Sequence, residues 1–153
     1  CPHARCAMHV HSTYATVLAS LEDSQLPPIE QNSAMFFNRY VIDDNYGGLA
    51  FEKEGERCAA LFSDPKKKVM IMGNHGILVI GHTVAETFNT LYYFERAAKV
   101  YIKALQTGQK LRILPKKIAE RTSRQIDNFP EQGEKHFAAI KQLLDDSSED
   151  YAQ

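Results

Sequence analysis

Arg5-Cys6-Ala7-Met8-His9-Val10-His11-Ser12 sets two histidines two residues apart at the end of an apolar run, and residues 13–21 follow with the spacing of a short helix. In an extended strand successive side chains point to opposite faces, so residues i and i+2 share one face. Reading 4–10 as a buried strand therefore sends the His9 and His11 imidazoles the same way. Two neutral imidazoles side by side chelate a divalent metal through nitrogen, and zinc accepts three protein ligands while keeping a position open. The pair lacks a third ligand, and a lone His-x-His fits solvent-exposed or core-bonded strand-end histidines as well. Ser12 stands where a helix N-cap belongs. A strand that delivers side chains at its carboxyl end beside a helix start is a common way for an α/β fold to build a site.

The 153 residues suffice for one domain with a sizeable core. With 44% hydrophobic and 24% charged residues and a formal net charge of -1, the chain gives no electrostatic reason to expect nucleic acid or an anionic membrane as partner. Three cysteines, Cys1, Cys6 and Cys58, show no Cys-x-x-Cys spacing, which argues against a disulfide framework or a thiolate zinc site and favours the cytoplasm. No run approaches the roughly 20 apolar residues of a membrane helix. The chain opens Cys1-Pro2-His3 and runs almost at once into a strand, so we expect the first part of the domain to lie upstream.

Farther along, Leu26-Pro27-Pro28-Ile29 breaks the first helix and leads into Gln31-Asn32-Ser33. Met35, Phe36, Phe37, Tyr40, Val41 and Ile42 then supply bulky side chains for a core or a subunit interface. Asp43-Asp44-Asn45-Tyr46-Gly47-Gly48 reads as a loop with solvated acids. Residues 52–64 have helical spacing and predict a surface helix, closed by Asp64-Pro65. Lys66, Lys67 and Lys68 read as a solvated strand edge that blocks edge-to-edge pairing. Val69-Met70-Ile71-Met72 and Ile77-Leu78-Val79-Ile80, separated by Gly73-Asn74-His75-Gly76, predict two adjacent strands joined by a tight turn that holds His75. Thr83-Val84-Ala85-Glu86 is a capping box, and Val84, Phe88, Leu91, Tyr92, Ala98 and Ile102 form the apolar stripe of a long helix ended by Gly108. Two more amphipathic helices, over 115–126 and 134–144, precede an acidic tail.

Taken together, His9-Val10-His11-Ser12, Asn74-His75-Gly76-Ile77-Leu78 and Gly81-His82-Thr83-Val84-Ala85-Glu86 resemble the class II aldolase/adducin head domain family over nearly the whole chain. Leu26-Pro27-Pro28-Ile29, Gly55-Glu56-Arg57 and the closing Leu144-Asp145 with Tyr151 are similar to family features too. The resemblance implies a three-layer α/β/α fold with a central mixed, largely antiparallel sheet. It implies one such domain over 1–153, lacking its N-terminal part, with 109–153 as a C-terminal helical extension. It also implies a divalent metal, zinc first, held by His9, His11 and His75. The other histidines, His3, His82 and His136, lie at the chain start, a turn and an amphipathic helix, where surface exposure is expected.

For function, the resemblance implies a metal-dependent lyase that cleaves a carbon-carbon bond of a small hydroxy- or keto-acid or sugar derivative through a metal-stabilised enediolate. A carbohydrate epimerase and a non-catalytic adducin-like assembly domain are the alternatives. A homotetramer with the metal near a subunit boundary is expected. The proton-transferring carboxylate and a phosphate-gripping loop are expected upstream of the quoted chain. Gln31 stands where the fuculose-phosphate enzyme of the family has a catalytic tyrosine, and no acid here, Glu30 included, is assigned to catalysis.

Overall fold

The computed structural model describes residues 1–45 and 53–147. Strand β1 (Cys6–Val10) leads into helix α1 (Thr13–Ala19), then α2 (Gln31–Met35), β2 (Tyr40–Asp43), α3 (Glu54–Leu61), β3 (Val69–Met72), β4 (Gly76–Gly81), α4 (Val84–Gln106), α5 (Lys116–Gln125), a 3-10 turn (Ile126–Asn128) and α6 (Gln132–Asp146). The strands form one sheet in the order β1-β4-β3-β2. β4 is antiparallel to both neighbours, while β2 runs parallel to β3, so the sheet is mixed and largely antiparallel.

Strand alternation sorts the core into two halves. Val69, Ile71, Ile77 and Val79, with Val10, Tyr40 and Ile42, turn to one face, where Ala15, Leu18, Phe94, Ala97, Ala98 and Ile102 of α1 and α4 meet them. Met70 and Ile80, with Val41, Met72 and Leu78, turn to the other face, where Cys58 and Phe62 at α3 cover them. Helices thus lie on both faces, giving the three layers. Alanines at positions 15, 97 and 98 are fully buried and let the helices approach the sheet and each other closely. Among the described residues no helix is long and apolar enough to cross a membrane.

Several sequence expectations need correction. Lys68 is not at a sheet edge. β3 is an inner strand, the Lys68 N–H bonds the Arg39 carbonyl at 2.9 Å, and its Nζ lies 3.5 Å from Glu86. The long helix has two apolar faces rather than one stripe. Phe94, Ala98 and Ile102 enter the core, Val84 is exposed, and Phe88 and the partly exposed Tyr92 stack on His136 and Phe137 of α6 with ring centroids 4.6 to 5.5 Å apart. The capping box is half formed: the Thr83 hydroxyl accepts the Glu86 N–H at 3.0 Å, but the Glu86 carboxylate takes the N–H of His82 at 2.7 Å. Glu30, to which the sequence assigns no role, caps the unforeseen α2 by accepting the N–H groups of Asn32 and Ser33. Of the bulky residues expected in a core or a subunit interface, Phe36 and Tyr40 serve the core. Phe36 stacks edge-on against Phe94 at 5.1 Å, and the Tyr40 hydroxyl accepts the Leu26 N–H at 3.0 Å.

The acidic segment after β2 is also more than a solvated loop. Asp44 is exposed, but Asp43 is buried and accepts from an Arg57 Nη at 2.7 Å, while its own carbonyl accepts the Gly73 N–H at 2.8 Å. Residues 46–52, which hold the rest of that loop and the expected start of α3, lie outside the described residues, as does the tail from 148. Arg57 holds the Asp43 carboxyl below its ordinary value near 3.8, against the opposing pull of burial. A carboxyl depressed in the folded state takes its proton first in the unfolded chain. Its contribution is therefore full above the unfolded value and lost as pH falls through the folded one. Thermal melts should show this group adding nothing to the slope between pH 7 and 5 and a falling stability below about pH 4. The acid limb should flatten in Asp43→Asn. An unchanged acid limb in that variant would remove the assignment.

Candidate metal centre

Three histidines meet where β1 ends and the β3–β4 turn begins. Antiparallel pairing sets His9 opposite Leu78 and Val10 opposite Ile77, so His11, just past the strand, lies beside the turn residues 73–75. His9, His11 and His75 bring one ring nitrogen each within 4.8 Å of one another. Their ring centroids are 4.9 Å (His9–His11), 4.6 Å (His9–His75) and 4.8 Å (His11–His75) apart. The Nε2 atoms of His9 and His11 are 3.0 Å apart.

Each ring is aimed by backbone. His9 Nδ1 lies 3.0 Å from the Ile77 carbonyl, and an N–H donating there fixes the tautomer and leaves Nε2 as the free lone pair. Asn74 has a φ of 55°, in the left-handed region that asparagine tolerates better than most residues, and the His75 N–H closes the turn on the Met72 carbonyl at 3.0 Å. The Asn74 N–H also bonds the Ala19 carbonyl at 2.9 Å, tying the turn to the end of α1. Gly76 leaves room for His11: a Cβ there would lie 2.5 Å from the Val10 carbonyl oxygen and 2.9 Å from the His11 ring.

The donor set fits a divalent ion. In a tetrahedral zinc site with nitrogens at 2.0 to 2.1 Å, adjacent ligand atoms sit about 3.3 Å apart, close to the 3.0 Å between the His9 and His11 nitrogens and within the 4.8 Å span of all three. His9 and His11 are exposed, and His75 is half-buried, which leaves a side open to water or substrate. Burial, aided by the charges of His9 and His11, holds the His75 imidazole below the usual histidine value despite the opposing pull of Glu54. The shift favours the neutral ring, which is the ligating form.

The remaining histidines lie elsewhere. His82 is exposed just past the end of β4. His3 and His136, expected at the surface, are both half-buried: His3 lies 3.3 Å from the Cys1 sulfur, and His136 Nδ1 lies 2.9 Å from the Asn89 side-chain oxygen. Sequence reading missed one residue that bears on the site. Ser12 caps nothing with its own side chain; instead Glu95 of α4 accepts its hydroxyl and the N–H groups of Tyr14 and Ala15. The signal was present, because Glu95 interrupts the row Leu91, Ala98, Ile102, and a carboxylate in an apolar row demands partners.

Comparison with known proteins gives a consistent kinship. The family model described as Class II Aldolase and Adducin N-terminal domain matches residues 1–102. Beta-adducin of Rattus norvegicus is 30% identical over 110 residues, which are 70% of this chain and 14% of that protein. The crystal structure of an aldolase II superfamily protein from Pseudomonas syringae superposes with a TM-score of 0.86 at 28% identity, covering 99% of this chain and 61% of that one. An L-fuculose 1-phosphate aldolase superposes with a TM-score of 0.68 at 25% identity, over 82% of this chain and 57% of the other. The chain thus spans about three-fifths of these solved chains and a small fraction of the adducin.

The close approach at Gly76 gives a direct test of the site's geometry. Gly76→Ala should cost roughly 1 to 3 kcal/mol in denaturant unfolding, because the neighbours it meets are a backbone carbonyl and an imidazole with little room to yield. The same variant should weaken Zn2+ binding measured by competition with a chelating dye. A variant as stable as the parent would show that β1 and the turn adjust freely.

Proposed function

We propose that this chain, which belongs to the class II aldolase and adducin N-terminal domain family, holds a single divalent ion, zinc first, on His9, His11 and His75 and serves a metal-dependent lyase reaction. The observation that carries the reading is the convergence of three imidazoles from two distant parts of the chain on one open point. Nothing in the packing requires three imidazoles there, since His9 and His11 are exposed and none of the three belongs to the hydrophobic core. When bound, such an ion acts as a Lewis acid that polarises a substrate carbonyl, so that the neighbouring carbon-carbon bond can break. The chain's own contribution is orientation. The Ile77 carbonyl fixes the His9 ring, Gly76 leaves space for the His11 ring, and the turn aims His75. The substrate class is a small hydroxy- or keto-acid or sugar derivative, in line with the likeness to L-fuculose 1-phosphate aldolase. Cys1, Cys6 and Cys58 are free thiols, which accords with a reducing cytoplasm.

The likeness to beta-adducin favours a second reading, a fold kept for assembly without the reaction. Metal analysis and catalysis separate the two. The full-length protein, stripped with chelator and reloaded, should retain one zinc per chain. His75→Ala should lose more than the roughly 10- to 100-fold in affinity that removing a ligand's outer hydrogen-bond partner costs. Cleavage or decarboxylation should appear across a panel of hydroxy- and keto-acids and sugar phosphates, and should vanish with the metal. No zinc uptake by the parent protein would end the metal reading. Zinc bound with no turnover would favour assembly.

A symmetric homotetramer with the histidines near a subunit boundary completes the proposal. Val17 on α1 and Tyr92 on α4 are 41% and 39% exposed, and they replace Phe36 and Tyr40 as apolar groups available to a neighbour. Sedimentation of the full-length protein at micromolar concentration should give four copies. A clean monomer would remove the tetramer from the reading.

A further inference from the structure

Glu95 of α4 makes contacts out of proportion to an ordinary surface glutamate. Its Oε2 accepts the Ser12 hydroxyl and the Ala15 N–H, both at 2.8 Å, and its Oε1 accepts the Tyr14 N–H at 2.9 Å. All three donors lie within four residues of His11. The carboxylate does for α1 what the Ser12 side chain was expected to do, and does it from another helix. Because α4 is anchored in the core by Phe94, Ala97 and Ala98, each fully buried, the point at which Glu95 grips the chain is fixed relative to the sheet.

We propose that Glu95 is a positioning residue for the histidine site, setting the direction of His11 by clamping the backbone immediately after it. This rests on the metal reading given above. The clamp works with the far end of α1, where the Ala19 carbonyl accepts the Asn74 N–H beside His75. α1 is thereby held at one end next to His11 and at the other next to His75, so losing Glu95 frees one end of the strut that spaces the two ligands. A bare helix cap would affect stability alone. A positioning residue must also change how the site holds an ion.

The test compares the parent full-length protein with Glu95→Gln, Glu95→Asp and Ser12→Ala, using Zn2+ affinity and the visible spectrum of the Co2+-loaded protein, each measured where circular dichroism shows the chain folded. Gln keeps the size but sets an NH2 against at least one of the three donors. It should lower Zn2+ affinity about 10- to 100-fold and shift the Co2+ d–d bands. Asp keeps both acceptor oxygens on a shorter reach and should recover part of the loss. Ser12→Ala removes one donor of three and should lower affinity several-fold with the fold intact, which keeps the proposal testable if Glu95→Gln does not fold. Parent-like affinity and spectrum in the folded Gln variant, or in Ser12→Ala if Gln is unfolded, would overturn the positioning role while leaving the metal site standing. A parent protein that takes up neither Zn2+ nor Co2+ would overturn the metal reading and this proposal with it.

Discussion

The register between β1 and β4 is the constraint on which the rest depends. Five consecutive pairs, from Cys6 opposite Gly81 to Val10 opposite Ile77, decide that Val10 faces the core under α4 while His9 faces the other way. Strand side chains alternate strictly, so a slip by one residue would bury His9 and turn Val10 out. Such a slip is opposed on both sides of β4. Ile77 and Val79 are fully buried against α1 and α4, and their antiparallel pairing with β3 is fixed by a turn too short to shift. The hydrophobic core therefore sets the histidine geometry, although no histidine belongs to that core.

How much of this was legible depends on sequence distance. The shared face of His9 and His11 follows from the period of a strand, and the β3–β4 hairpin follows from two apolar runs around Gly73 and Gly76. The meeting of His75 with the pair does not follow from spacing at all; the resemblance to a known family supplied it, and β1–β4 pairing is its physical cause. That resemblance also carried the three-layer fold with its mixed sheet, whereas the chain pattern alone stopped short of the strand order.

Where the reading failed, a partner was remote in sequence or a face was shared. The stripe on α4 was read as one surface, yet Phe88 and Tyr92 serve α6 while Phe94, Ala98 and Ile102 serve the sheet, and helical periodicity does not distinguish one wide stripe from two adjacent ones. Ser12 has the composition of an N-cap, but a local rule takes no account of a carboxylate arriving from another helix. Asp43 looked like a loop acid because its neighbours are loop residues, and Arg57, which neutralises it, lies beyond them. In each case the local preference was sound and a tertiary contact overrode it.

The wide separation of the ligands along the chain has a topological consequence. His9 and His11 are neighbours in any conformation, so even an unfolded chain offers an ion two nitrogens at little cost. Bringing His75 to join them closes the whole loop from His11 onward, an entropic cost on the order of 4 kcal/mol for a chain of that length without the fold to hold it. An ion would thus distinguish folded from unfolded chains almost entirely through its third bond. The coordination number becomes a gauge of whether the end of β1 and the hairpin turn are still together: three ligands when the sheet is whole, two when that one seam has opened.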